Sequence, residues 1–364
     1  MQILHAVLSH GFYGSERHCI ELATAQARAG HQVAVLIHGG DSPCALAFRD
    51  EIVATQAAMA REGGPGAIRL IVMPRALPPV LHRPFSRWTL MRLRPHIVHT
   101  HLNPAARRIG RVAQASGIPH VATLHIRYDS REHSGCDGLI CIAAWQRATL
   151  DAAFRGEAAI VGGWVSAAIH AALARVTPQD IVRLRASWGA DDRTIVFGSV
   201  GRLMAEKGMD VLIRAFRAAF PRYDEPVRLV MVGDGAQQRE VQQLAAGDAR
   251  IAFIGTLPDI APVYRAFDVY VSAARFEPFG LTILEAMDAG CALVVTRTEG
   301  PREFLKDPRV LWAEPGDVKT LAAQLSAAAA RGREQMAYDL TQFARAGAVT
   351  AIEAFYGAVL ARRK

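Results

Sequence analysis

The segment RFEPFGLTILEAMDAG, Arg275 to Gly290, sets two glutamates, Glu277 and Glu285, eight positions apart around a Pro-Phe-Gly turn. A strand-like run, VYVSAA, precedes the turn, and LTILEAMDA after it reads as a helix that Gly290 stops. Glu277 then falls in a loop and Glu285 about one turn into a helix, so they cannot work as an adjacent acid pair. A carboxylate accepts two hydroxyl protons at once, and two separated carboxylates suit the opposite ends of one extended ligand built of vicinal diols, such as a ribose and a sugar ring. Pro278 and Gly280 turn the chain and leave bare amides at the helix entrance, where the helix dipole favours negative charge.

A second motif, GRLMAEKG from Gly201 to Gly208, follows the apolar run VFGSV and carries Arg202 and Lys207, a fork-shaped donor and a point charge. Cleaving a nucleoside diphosphate from a sugar loads negative charge onto the departing group, and fixed positive groups stabilise that charge as it develops. Many enzymes use a divalent metal for this. This sequence contains no Asp-x-Asp segment, and its adjacent aspartates, Asp191 and Asp192, stand in a linker before a strand. The expected arrangement is metal-free, with Arg202, Lys207 and the amides of Phe279, Gly280, Leu281 and Thr282 meeting the diphosphate.

These motifs need strands that end in loops, and the chain supplies them twice. QILHAVLS (Gln2 to Ser9) reads as a strand, GFYGSER as a glycine-containing loop, HCIELATAQARAG (His18 to Gly30) as an amphipathic helix, and HQVAVLIHG as the next buried strand. HIVHTHL (His96 to Leu102) and HVATLHI (His120 to Ile126) continue the pattern, with a helix from about Pro104 to Ser116 between them. After a break near residues 162 to 190 the apolar runs resume at Arg193 to Leu203, Val227 to Gly235, Ile251 to Thr256, Val269 to Ala274 and Cys291 to Thr296. Continuous apolar strands alternating with helices predict α/β architecture: two Rossmann-like, doubly wound parallel sheets facing each other across a cleft. In such sheets ligands bind at the carboxyl ends of the strands, where both motifs lie. A length of 364 residues suits two domains. The expected division is 1–165 as the acceptor-side domain, 166–345 as the nucleotide-sugar-binding domain, and 346–364 as a C-terminal helix packing back toward the first.

EPFGLTILE is a Glu-x7-Glu motif, and together with GRLMAEKG, VGDG and GFYGSER it resembles the retaining glycosyltransferases of family GT4, which have the GT-B fold. The resemblance covers nearly the whole chain and is strongest in the second half. It implies that Glu285 holds the donor ribose, that Glu277 lies beside the donor-sugar hydroxyls, and that Phe279 to Thr282 give main-chain contacts to phosphate and sugar. Arg202 and Lys207 match the pair that holds the diphosphate. Gly14 matches the second glycine of the family's Gly-Gly loop, and His125 matches a histidine that faces the donor sugar. Two positions depart from the pattern: Tyr13 stands at the first glycine, and VGGWVS (Val161 to Ser166) replaces a Pro-Asn-Gly hinge. The implied activity is transfer of a sugar from a nucleotide-diphosphate sugar, UDP-linked, to a glycan or lipid-linked acceptor, as in lipopolysaccharide or surface polysaccharide synthesis. The nucleotide sugar is a co-substrate, and no separate cofactor is expected.

The formal net charge is +8, and it is uneven. The first 165 residues hold 17 arginines and no lysine against 11 acidic residues. LPPVLHRPFSRWTLMRLRPH (Leu77 to His96) mixes Arg83, Arg87, Arg92 and Arg94 with Phe85, Trp88 and leucines, a composition suited to an anionic membrane surface or a lipid-linked sugar, and equally to a plain amphipathic helix. Arg107, Arg108 and Arg111 would add to that face. No apolar stretch approaches the roughly 18 residues of a bilayer span, and Met1 to Leu8 lacks the basic start and cleavage site of a signal peptide, so a cytoplasmic protein, peripheral on the membrane's inner face, is expected. The five cysteines are scattered and read as buried thiols. His99 and His101 share one strand face, but no third metal ligand is evident in the sequence. Gln238 stands where a dinucleotide fingerprint starting at Gly233 needs its third glycine, which argues against a nicotinamide-dependent oxidoreductase and leaves GDG a structural turn. No aromatic stacking platform argues for nucleic acid. A nucleotide-sugar epimerase is the closest competing enzyme.

Overall fold

The structure is a computed structural model that describes residues 1–9, 11–39 and 42–363. The chain forms two units, 1–163 with 345–364, and 164–344.

In the first unit seven parallel strands, β1 (Gln2–Val7), β2 (Gln32–His38), β3 (Ala67–Met73), β4 (Ile97–His101), β5 (His120–Leu124), β6 (Gly138–Cys141) and β7 (Glu157–Ile160), lie in the order β3-β2-β1-β4-β5-β6-β7. The order reverses between β1 and β4, which pair over five residues with His5 opposite His99 and Val7 opposite His101. The central strands are buried throughout, as their unbroken apolar runs require. Three strands were not evident in the sequence: the edge strands β3 and β7 are only partly buried, and β6 has four residues. The helix expected near residues 104–116 is present but widens into a π-helical turn at Ala106–Gly110. Gly110 is required there, because a Cβ would sit 2.1 Å from the His120 ring. The C-terminal helix Arg345–Ala361 packs within this unit, and its Tyr356 hydroxyl lies 2.5 Å from His99 Nδ1.

The second unit has six parallel strands, β8 (Ile195–Val200), β9 (Val227–Val232), β10 (Ile251–Gly255), β11 (Val269–Ser272), β12 (Ala292–Thr296) and β13 (Leu311–Ala313), in the order β10-β9-β8-β11-β12-β13. The reversal falls between β8 and β11, which pair at only Val269 with Phe197 and Tyr270 with Gly198. Beyond that short contact loops replace strand pairing at the carboxyl ends. One core joins the sheet to the helices Met209–Ala219 and Val318–Arg331 through Phe197, Phe216, Phe220, Leu212, Leu321 and Leu325. At the opposite end of the sheet the buried Arg185 guanidinium donates to Asp268 at 2.8 Å and to the Thr194 carbonyl at 2.6 Å, fixing the helix Pro178–Ser187. All five cysteines are free and buried, and burial raises their thiols, Cys44 to about 11 and Cys291 to about 12, so they remain protonated.

Candidate active site

Arg202 and Lys207 lie on the loop leaving β8, and Glu277 lies on the loop leaving β11, so the two motifs meet at the reversal point of the second sheet. Lys207 Nζ donates to Glu277 Oε2 at 2.6 Å. Around that ion pair the loops are clamped by main-chain and side-chain bonds. Arg275 N donates to the Glu206 carbonyl at 2.7 Å, and the Arg275 guanidinium reaches both oxygens of Asp210 at 2.7 and 2.8 Å. Those Arg275 hydrogen bonds hold the Asp210 carboxyl below its ordinary range. Gly208, in the left-handed region at φ 64°, ends the first loop; a Cβ there would lie 2.0 Å from the Ala273 carbonyl oxygen. Sequence reasoning missed Arg275 and Asp210, although Arg275 opens the segment that carries Glu277 and Glu285.

Glu285 follows on the helix Leu281–Ala289. Its carboxylate is buried and accepts from Tyr264 Oη at 2.7 Å, which spends one of about four lone-pair positions and fixes the side chain. Tyr270 Oη donates to Thr282 Oγ1 at 2.8 Å and pins the first turn of the same helix. Among the described residues no side chain caps this helix, whose amino end is Gly280 at φ 114°. Phe279 turns inward instead, stacking on Phe304 with ring centroids 4.9 Å apart, so its backbone rather than its ring faces the loop. Gly300 packs so tightly beneath that a Cβ would meet Phe279 N at 2.5 Å. Arg202, on the loop leaving β8, is exposed. The VGDG turn is structural: Leu203 N donates to the Asp234 carbonyl at 2.7 Å, and a Cβ on Gly233 would strike the Gly201 carbonyl. The site thus combines a lysine-carboxylate pair, an arginine, uncapped helix amides and a second anchored carboxylate. That set can hold an anion between hydroxyl-bearing groups.

In the first unit Gly14 is the exposed first residue of the helix Gly14–Arg28, and Glu16 closes that end by accepting from Tyr13 N at 3.0 Å. His125 follows β5 and does not stand alone. A hydrogen-bonded row runs from Gln26 Oε1 to His5 Nε2 (2.7 Å), from His5 Nδ1 to His101 Nε2 (3.1 Å), and from His101 Nδ1 to His125 Nε2 (3.0 Å). His18 packs edge-on against His125. Burial keeps the row neutral, lowering His5 and His125 to about 4 and His101 well below its ordinary value. His5 and His18 were not singled out from sequence; the available signal was that β1 and β4 carry histidines at matching strand positions. Arg107 and Arg111 both reach Glu132, at 2.6 and 3.5 Å, so one carboxylate offsets part of their charge.

Similarity to known families follows the same division. A family model described as Glycosyltransferase Family 4 matches residues 12–162, and one described as Glycosyl transferases group 1 matches residues 194–331. A lipopolysaccharide core biosynthesis glycosyltransferase of Rhizobium meliloti is 35% identical over 128 residues, 34% of this chain and 36% of that protein. A lipopolysaccharide core biosynthesis mannosyltransferase of Rhizobium leguminosarum is 31% identical over 190 residues, 48% of this chain and 54% of that protein. These matches span between about a third and a half of the curated relatives' length. The crystal structure of Anabaena HepE with UDP and glucose has a similar fold, with a TM-score of 0.76 at 18% identity over 98% of this chain and 100% of that one.

Proposed function

Because the chain belongs to the GT4-type glycosyltransferases of the GT-B fold, we propose that it moves a sugar from a nucleotide-diphosphate sugar, UDP-linked, to a glycan or lipid-linked acceptor with retention of configuration and without a metal. The observation that carries this reading is the Lys207–Glu277 pair at the end of β8 and β11, with the buried Glu285 carboxylate on the helix that follows. An ammonium has three donors, and Glu277 uses one, which leaves donors for a diphosphate oxygen. Arg202 and the amides of Gly280, Leu281 and Thr282 would meet the same group, stabilising charge as the sugar bond breaks. Glu285 would take the ribose hydroxyls while Tyr264 holds it in place, and Glu277 the sugar hydroxyls. Gly14, Phe279 and His125 enter through the motif match. The departing phosphate would accept the acceptor's proton on the face it leaves, which retains anomeric configuration.

The relatives named for lipopolysaccharide core biosynthesis support an acceptor of that class, and the HepE complex with UDP supports the nucleotide. Membrane association belongs to the same proposal. On the helix Pro79–Leu93 the side chains of Val80, Leu81, Trp88 and Met91 are exposed beside Arg83, Arg87 and Arg92. None of the described helices is long and apolar enough to cross a membrane. Purified protein should therefore co-sediment with anionic liposomes at low salt and stay in the supernatant with neutral ones.

The deciding assay offers UDP-, GDP- and ADP-sugars separately, then follows nucleotide release with and without a lipopolysaccharide-core acceptor. Acceptor-dependent release of UDP with an α-linked product from an α-linked donor supports the reading. Sugar inversion or epimerisation without acceptor would sink it, and a GDP preference would replace the UDP assignment alone.

A further inference from the structure

Three histidines in the first unit come from three different elements and converge. His18 is on the helix Gly14–Arg28, His101 ends β4 and His125 follows β5, and one ring nitrogen from each lies within 4.8 Å of the others. We propose that His18, His101 and His125 form a binding site for a borderline divalent transition-metal ion of the zinc class, with water completing the coordination.

The neighbouring groups orient the lone pairs of these rings. Gln26 Oε1 can only accept, so His5 Nε2 donates to it at 2.7 Å, and His5 Nδ1 is then a lone pair. His101 Nε2–H donates to that lone pair at 3.1 Å, which leaves His101 Nδ1 as a lone pair directed at His125. A metal-binding imidazole typically has its other nitrogen held in this way by an outer hydrogen bond. His5 uses both nitrogens in the row and is an outer partner rather than a ligand, which favours this triad over the overlapping group of His5, Cys19 and His101. His101 Nδ1 and His125 Nε2 are 3.0 Å apart, already near the separation of about 3.3 Å between two nitrogens bound at 2.0–2.1 Å in a tetrahedron. Closing the site therefore requires His18 to approach and the His101 and His125 rings to turn so that their lone pairs meet at the ion rather than at each other. Uptake shifts the His125 proton from Nε2 to Nδ1, so the ring stays neutral and no proton is released, while the ion brings its own two positive charges into the site. Three neutral imidazoles suit zinc, cobalt or nickel and not magnesium or calcium, which prefer oxygen. His18 and His101 are buried while His125 keeps part of its surface open, giving the ion an entry point. The site shares His125 with the reading proposed above, whose transfer chemistry needs no metal, and it is tested without substrate so that its failure and the failure of that reading are distinguishable.

Full-length metal-free protein titrated with Co²⁺ alone should take up one equivalent with visible bands of a nitrogen-ligated ion, displaced by Zn²⁺ and unaffected by excess Mg²⁺. His101→Ala and His125→Ala should each lose that uptake, while His170→Ala, at an exposed position far along the chain, should retain it. Gln26→Leu should weaken binding by no more than about 10-fold, since it removes only the group that orients His5, the outer partner of His101. If a variant fails to fold, wild-type histidine NMR decides: Zn²⁺ should shift the resonances of His18, His101 and His125 together. Uptake that is unsaturable, unchanged in both ligand variants, or accompanied by shifts only at exposed histidines overturns the proposal.

Discussion

Each sheet reverses its strand order once, between β1 and β4 in the first unit and between β8 and β11 in the second, yet the two reversal points carry opposite chemistry. At β8 and β11 pairing stops after two residues, and loops bring Lys207, Glu277, Arg275 and Asp210 together at the strand exits. At β1 and β4 pairing runs for five residues, so strand side chains fill the space themselves, with His5, His99 and His101 inside the layer. Charged side chains survive at the first place because loops and solvent share in solvating them; in the second, the side chains themselves stay neutral. Similar topology therefore sets where a ligand can bind, and the depth of the side chains decides which charge state they can hold.

Acid should expose this contrast most strongly. His120 is fully buried, and burial lowers it to about 3, while His5 is lowered to about 4. Both lie below the ordinary histidine value of about 6.5, so the unfolded chain binds protons that the folded chain refuses. Their contribution is complete above pH 6.5 and is lost as pH falls toward 4. Each neutral histidine removes about 1.4 kcal/mol per pH unit, so these two alone should cost the first unit about 4 kcal/mol between pH 7 and 5. Urea unfolding followed by a probe in each unit checks this: the first unit's midpoint should fall much further than the second's. Equal shifts in both would erase the distinction drawn here.

Next in size comes the ion pair. Lys207→Met should reduce kcat by about 10³-fold, the upper end for losing one donor to a developing oxyanion, and should also destabilise the second unit by stranding the poorly exposed Glu277 carboxylate. Adding Glu277→Gln should restore much of the stability and none of the activity, which separates a structural lysine from one that meets the diphosphate. Arg202→Ala, at an exposed position, should cost about 10²-fold in kcat with little change in Tm. A Lys207→Met enzyme that keeps full turnover would reduce the pair to scaffolding.

The same contrast explains what could be read beforehand. The second site was legible because its ligating groups sit in two contiguous segments, each a strand followed by turn residues with fixed spacing. Glu277 and Glu285 are eight positions apart, and Arg202 and Lys207 five. What escaped notice there were the residues that hold others in place: Tyr264 beneath Glu285, Tyr270 beneath Thr282, and Asp210 opposite Arg275. Their partners lie 12 to 65 positions away, and only the packed sheet reveals them. The histidine row was harder still, since Gln26, His5, His101 and His125 come from four elements joined by strand register rather than by any local pattern. Strand periodicity put His99 and His101 on one face but could not place His18 beside them.

Glu285→Gln sharpens the comparison on a smaller scale. The amide keeps a hydrogen bond from Tyr264 Oη through its own oxygen, so the helix should hold its position. What is lost is a charged acceptor for two hydroxyls, a change of about 1.4 kcal/mol or more for one charge-assisted bond. The donor KM should rise about tenfold with kcat nearly unchanged, the pattern for a group that grips the substrate equally before and during reaction. A fall in kcat alone would instead place Glu285 at the reacting centre.

The smallest expected effect is that of a chelator, and it bears on both regions at once. At the β8–β11 end the positive groups are side chains and helix amides, which EDTA does not remove, so turnover in metal-free buffer should stay within about twofold of its original value. Strict dependence on added magnesium would show that Arg202 and Lys207 are not sufficient to hold the departing diphosphate. At the histidine end the same chelator should strip any bound zinc and free His125. If His125 serves the sugar, EDTA should therefore raise the activity of zinc-loaded protein, and the His101→Ala variant, unable to hold zinc, should show no such rise. Loss of activity on chelation in wild type and variant alike would place the essential metal at the charged site rather than among the imidazoles, reversing the assignment of the two ends.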